Sequence, residues 1–179
     1  SGQTKNTTAK ITSQHGIIYQ DLIKKLGKQK ARTYALANEA AIRAYGEIVG
    51  EEKIECGFER LPSYLYTREP SMVVRLEQEA QAASALGISA HFTQIHGLPF
   101  DTMGAVCFEG QAQFHPLAFL KHLSQKVTVY EGTRVLKVKK HMIWTDHGTV
   151  NAKHVVFASH YPFVNLPGMF FARQHQDRS

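Results

Sequence analysis

Apolar residues in this chain change their spacing partway along it. Over residues 17–50 they recur every three or four positions, and in the last third they follow the two-residue period of strands. A chain carrying both periods, one after the other, belongs to the α+β class. Ile17, Ile18, Leu22, Ile23 and Leu26 form a first helical stripe, which Gly27 interrupts. Ala31, Tyr34, Ala35, Asn38, Ala41, Ile42, Tyr45, Ile48 and Val49 form a second. Lys28, Arg32, Glu39, Arg43 and Glu47 occupy the opposite face, with Glu39 and Arg43 in the favourable i, i+4 order. The pattern predicts a short helix ending at Leu26 and a long one over 28–49, with Gly50 as its stop.

Residues 54–60 and 64–67 are aromatic-rich runs around Leu61-Pro62-Ser63 and read as a hairpin. Pro70 opens a third helix that buries Val73, Leu76, Ala80 and Ala83 and closes at Leu86-Gly87. Between 90 and 113 the glycines and Pro99 divide short strands from loops. Pro116 starts a helix running to Ser124, with His115 as its cap. Runs 127–131 and 154–158 read as short buried strands. Runs 134–139, 141–145 and 149–152 read as a three-stranded meander turning at Asp146-His147-Gly148, with Trp144 packed on it. Residues 1–12 are small and polar, and read as a loop with a helical turn at 8–11 and nothing tethering its start.

Composition removes several function classes. With 43% apolar residues among 179, the chain is too apolar for a disordered one. Its two cysteines, Cys56 and Cys107, exclude a disulfide framework and a four-cysteine zinc site. Both are expected as buried, inert thiols on apolar strands. His91 and His96 are five apart, a spacing that suits neither a helical nor a strand pair of ligands, so no metal is expected. No run approaches 18 apolar residues, and no membrane span is expected. The chain starts at a serine without an apolar leader and stops without a helix end, which predicts a cytoplasmic piece of a longer protein. The net charge of +6 comes mainly from Lys24, Lys25, Lys28, Lys30 and Arg32, and from Arg134, Lys137, Lys139, Lys140 and Lys153. These residues alternate with core positions and read as solvated faces. The rival reading is a non-enzymatic basic module that uses the first cluster on nucleic acid or an acidic partner.

No self-contained catalytic motif is present. The sequence lacks G-x-G-x-x-G, G-x-x-x-x-G-K-[ST], G-x-S-x-G, H-E-x-x-H and C-x-x-C. However, Gln111-Ala112-Gln113-Phe114-His115-Pro116, Leu117, Phe119-Leu120, Leu123, Val127-Thr128-Val129-Tyr130-Glu131 and Thr133-Arg134-Val135 follow a recognisable layout. It resembles a segment of the flavin-dependent D-amino-acid oxidase and glycine oxidase superfamily, where a helix and strand lead from the substrate domain back into the FAD domain. Val155-Val156-Phe157-Ala158-Ser159-His160 is similar to a later strand of that domain, and the first ten residues are similar to its S-G-x-T-x-x-T-T loop.

The resemblance implies a two-domain flavoprotein. Residues 1–12 would be an FAD-contacting loop, 13–113 the substrate-binding α+β domain, 114–161 part of the Rossmann-like FAD domain with its meander, and 162–179 a connecting segment. FAD would be held by Ser1, Gly2, Thr4, Thr7, Thr8, Ala9, Lys10, the Val135 backbone, Ala158, Ser159 and His160. Tyr64 and Tyr66, on one face of a strand, would meet the substrate. The implied reaction is oxidation of a C–N bond in an amine or amino acid by hydride transfer to flavin; no catalytic residue is assigned. The glycine-rich unit that cradles the pyrophosphate would precede Ser1, so this chain alone is expected to be inactive and to bind FAD weakly. His160-Tyr161-Pro162-Phe163 is similar to members carrying a further Rieske-type domain. A homodimer through an exposed sheet edge is also expected.

Overall fold

The computed structural model describes residues 4–159, and the chain divides into two compact units at Val127/Thr128. The expected boundary after residue 113 is not where contacts divide, because the helix that follows it packs onto the first unit.

In the first unit, helices α1 (Tyr19–Leu26), α2 (Lys28–Glu51) and α3 (Val73–Ala85) cover one face of a four-stranded antiparallel sheet. Gly27 has φ +79, a left-handed conformation that an L-residue adopts at a cost, and so it separates α1 from α2. Of the α2 stripe, Ala31, Ala35 and Ile42 are buried, while Tyr34, Ala41 and Ile48 are exposed. Gly50 lies inside the helix and does not stop it. In α3, Leu76, Ala80 and Ala83 are buried as the period predicts, and Gly87 follows at φ +99.

The sheet is built on β4 (Gly104–Gln113), ten residues long and buried over its first five. β2 (Glu59–Thr67) pairs along one edge of β4, from Glu59 opposite Gln113 to Thr67 opposite Gly104. β1 (Lys10–Ile11) and β3 (Ala90–Thr93) share the other edge, at opposite ends. The hairpin expected around Pro62 does not form. β2 runs straight through Pro62, where the register shifts between Leu61 and Ser63. A proline has no N–H to give a ladder, and a bulge asks for none there. Ile54 and Cys56 lie outside any strand. The helical turn expected at 8–11 is instead the strand β1, preceded by a 3-10 turn at Thr4–Asn6.

Alternation along β4 sends Val106 and Phe108 into the helices, where Phe108 stacks on Tyr19 at 6.0 Å between centroids. Residues 105, 107 and 109 take the other face. Helix α4 (Pro116–Ser124) buries Phe119 against Ile54 and Cys56. The rings of Phe114 and Tyr45 lie 5.6 and 5.4 Å from that of Phe119. His115 caps α4 as expected, its Nδ1 accepting the Ala118 N–H at 3.1 Å.

The second unit contains the expected meander, β5 (Val135–Lys139), β6 (Met142–Thr145) and β7 (Thr149–Asn151), antiparallel in that order. Thr145 and Gly148 close the turn. Lys137 lies over the Trp144 ring. Runs 127–131 and 154–158 are not strands, and Val127, Val129, Tyr130 and Val156 are exposed. An apolar run becomes a strand only where a neighbour completes its hydrogen-bond ladder. No described residue does so for 127–131.

Candidate functional site

The face of the first unit's sheet away from the helices carries polar and aromatic side chains. Pairing places Tyr64 opposite Cys107 and Tyr66 opposite Ala105, so both tyrosines emerge on the face away from the helices. They are exposed at 46% and 44%, high for side chains set over the centre of a sheet. The loop after β3 comes over them: Phe100 sits 5.5 Å from the Tyr66 ring, with the Arg68 guanidinium 5.3 Å from the Phe100 ring. Tyr64, Tyr66, Lys10, Ile95, Leu98 and Gln111 line a groove of about 350 Å³ on this face, within the usual range for a small-molecule site.

Lys10 reaches that groove because β1 is clamped onto β4. Lys10 pairs with Gln113 and Ile11 with Ala112. The Phe114 N–H donates to the Ala9 carbonyl at 3.1 Å. Further along, the N–H of Ser13 donates to Gln111 Oε1 at 2.7 Å, and the Tyr19 hydroxyl donates to the Ser13 carbonyl at 2.6 Å. Gln111 and Ser13 are buried, so these bonds form away from competing water. The segment expected to be untethered is therefore anchored by β4 itself.

Beneath the tyrosines lies a hydrogen-bonded chain of three side chains. Tyr64 bonds to the Cys107 thiol, which donates to Glu109 Oε1 at 3.3 Å. Burial pushes the Cys107 thiol up to about 11; the Glu109 carboxylate adds to the rise and the Tyr64 hydroxyl opposes it. The bond to Cys107 raises Tyr64 as well. Both groups thus keep their protons at neutral pH. Sequence reasoning named Tyr64 but not Cys107 or Glu109 as its companions. The only signal available was that 105, 107 and 109 share a strand face.

The other expected cofactor residues separate into groups. Thr4 takes the first position of the 3-10 turn, and its carbonyl accepts from the Thr7 hydroxyl. Thr7 in turn accepts the Ala9 N–H, and Ala9 has φ +59. Thr7 and Ala9 line a second groove with His115, Pro116 and Leu117 at the start of α4. Thr8 is exposed. Val135 belongs to the second unit, where it pairs with Thr145 and lines a groove with Ile143, Thr149 and Val150. Ala158 and Ser159 are exposed outside any strand. Ser1, Gly2, His160 and the segment after it lie outside the described residues. The lysines of the first basic cluster are all exposed; Lys24 and Lys25 sit in the last turn of α1, where cations complement the helix dipole. No helix of the described residues is long and apolar enough to cross a membrane.

The comparisons with known proteins agree with this architecture. A family model described as FAD dependent oxidoreductase matches residues 1–175. A Bacillus subtilis (strain 168) protein named as a Rieske 2Fe-2S iron-sulfur protein, YhfW, is 34% identical over 188 residues, a match covering all of this chain and 37% of that protein. Glycine oxidase from Geobacillus kaustophilus superposes with a TM-score of 0.65 at 18% identity, over 89% of this chain and 45% of that one. Glycine oxidase from Bacillus cereus ATCC 14579 gives a TM-score of 0.60 at 14% identity, over 86% and 44%. The chain thus spans less than half the length of each.

Proposed function

This chain belongs to the FAD-dependent oxidoreductase family, and from that membership we propose that the protein oxidises a C–N bond of a small amine or amino acid. The observation that carries the reading is the sheet face away from the helices, where Tyr64, Tyr66 and Lys10 meet at one groove. Its volume of about 350 Å³ suits a small amine or amino acid and is too small for a whole dinucleotide.

The residues present fit FAD in part. Lys10 is exposed and makes no ion pair among the described residues, leaving a cation available to an anionic group. Thr4, Thr7, Thr8 and Ala9 form a polar loop already held in place, and Val135 would turn its backbone to the adenine. Ser1, Gly2, Ala158, Ser159 and His160 complete the proposed set. A glycine-rich pyrophosphate cradle is absent from the 179 residues. When bound, FAD would supply a two-electron acceptor.

The chain's own task is to hold and orient the substrate. The Tyr64 hydroxyl donates its hydrogen bond to the Cys107 sulfur, which leaves its oxygen lone pairs free to accept an N–H from an amine. Tyr66 and Phe100 offer an apolar wall for the substrate's carbon skeleton. The loop carrying Ile95 and Leu98 limits its size and excludes water. A neutral amine needs no dedicated base in this scheme.

The full-length protein, reconstituted with FAD and mixed anaerobically with a panel of amines and amino acids, tests the proposal. Loss of the oxidised-flavin absorbance with an amine supports it. Loss only with donors that lack a C–N bond overturns it in favour of another flavin oxidoreductase. The cytoplasmic setting and a homodimer through a strand edge belong to the same proposal, and light scattering reads the latter.

A further inference from the structure

The same sheet face holds a second arrangement beside the tyrosine groove. β3 pairs with β4 so that His91 stands directly opposite Cys107. Glu109 lies two residues further along β4, on the same side of the strand. One ring nitrogen, one sulfur and one carboxylate oxygen from these residues all lie within 4.8 Å of one another. We propose that His91, Cys107 and Glu109 form a site for a borderline divalent cation of the zinc type.

Donor chemistry supports that class. A mixed imidazole, thiolate and carboxylate set suits zinc and cobalt(II), and disfavours magnesium and calcium, which take oxygen donors. The geometry needs only a small closure. Tetrahedral bonds of about 2.0–2.3 Å place neighbouring donors roughly 3.3–3.6 Å apart. His91 and Glu109 are exposed and can make that movement by rotating their side chains, while Cys107, 1% exposed, is the fixed floor. Three protein donors around an open rim leave a fourth position to water or to a small ligand.

Two further contacts point the same way. The Cys107 proton now bridges to Glu109 at 3.3 Å, so the cation would take the place of that proton between the same two atoms. In the exchange the S–H bond breaks, a metal–sulfur bond forms, the cation sheds water ligands and the proton leaves to solvent. From the β2 side, Tyr64 donates to the sulfur. A donor to a ligating thiolate steadies it and orients it, as outer partners of metal ligands do. The expectation that the cysteines are inert and the histidines unsuited to metal considered His91 with His96. The sheet instead gives His91 a partner 16 positions later in sequence, which no local spacing reveals.

The proposal does not rest on the flavin reading, since it concerns this chain without FAD. The experiment is anaerobic titration of the reduced 179-residue chain with cobalt(II), followed by zinc. The expected result is a thiolate-to-cobalt charge-transfer band saturating at one equivalent and bleached by zinc. Cys107→Ser removes the band and Cys56→Ser retains it. His91→Asn, a change at an exposed position that leaves the fold intact, weakens cobalt binding at least tenfold; Tyr64→Phe weakens it about tenfold. A folded chain, judged by circular dichroism, that gives no band at millimolar cobalt overturns the proposal. A band lost with Cys56→Ser, or unchanged with His91→Asn, overturns it equally.

Discussion

Glu79 of α3 accepts the backbone N–H of Tyr19, at the start of α1, at 2.7 Å. The same carboxylate takes the N–H of Ile18 at 2.7 Å and that of Gln20 at 3.1 Å. Helix α1 has no side-chain cap of its own. Its first N–H groups, buried against α3, would otherwise have no acceptor, and the helix dipole makes an anion there favourable. One carboxylate thus fixes α1 and, through Tyr19 and Ser13, the segment leading back to β1 and Lys10.

Replacing Glu79 by Ala therefore costs about 3 kcal/mol of stability, because three partly or fully buried donors lose their acceptor together. Gln keeps an acceptor for two of them but turns an amide N–H toward the third, and costs roughly 1–2 kcal/mol. Urea unfolding measures both. An alanine variant within about 0.5 kcal/mol of the unaltered chain contradicts the role given to Glu79.

Gly104 lies under the Phe92 ring: a Cβ there would run into Cζ and come 2.7 Å from Cε2. Gly104→Ala forces the ring out of its place and is expected to destabilise the first unit by about 1–3 kcal/mol. Phe92→Leu removes the clashing ring atoms, so the double variant should be less destabilised than the sum of the two single ones. Additive costs would show that the ring is not what the added methyl group meets.

Cys107 titrates late. Burial, then Glu109, hold it protonated up to about 11, against an ordinary value of 9.0. The midpoint of its alkylation by iodoacetamide should lie well above that of an unstructured cysteine. Glu109→Gln lowers that midpoint, and Tyr64→Phe raises it, since the tyrosine hydroxyl favours the thiolate. The linked stability follows the same sign. The unfolded thiol loses its proton first, so the contribution is complete below pH 9 and is lost as the pH rises toward 11. An alkylation midpoint at the unstructured value would remove the burial and Glu109 from the account.

FAD should not remain bound to the 179-residue chain through gel filtration. The cost of ordering the end of the first loop is already met, because β4 holds Ala9 and Lys10. The reason is the missing pyrophosphate cradle: a few surviving hydrogen bonds, each worth roughly 1 kcal/mol net, do not offset the loss of freedom on association. Yellow protein emerging from the column would refute this, while leaving the family assignment untouched.

The helices were legible in the sequence because a helix is a local object. The stripes ending at Leu26 and running through Ala31, Ala35 and Ile42 state its period, and Gly27, Pro70 and Pro116 mark its ends. The alternation that puts Tyr64 and Tyr66 on one face is equally local. Partners of strands are not. Pro62 reads as a turn until β4 supplies a register with a bulge beside it, and the apolar run 127–131 reads as a strand although no described neighbour completes its ladder. Glu79 is buried because α1 brings three unpaired N–H groups to it, a partnership that spans about 60 positions of sequence. His91, Cys107 and Tyr64 come from three strands and meet only through pairing. Periodicity determined which side of each element faces the core. The free energy of satisfying backbone donors and acceptors across distant segments decided which side chains share a site, and that sum runs over contacts no local window contains.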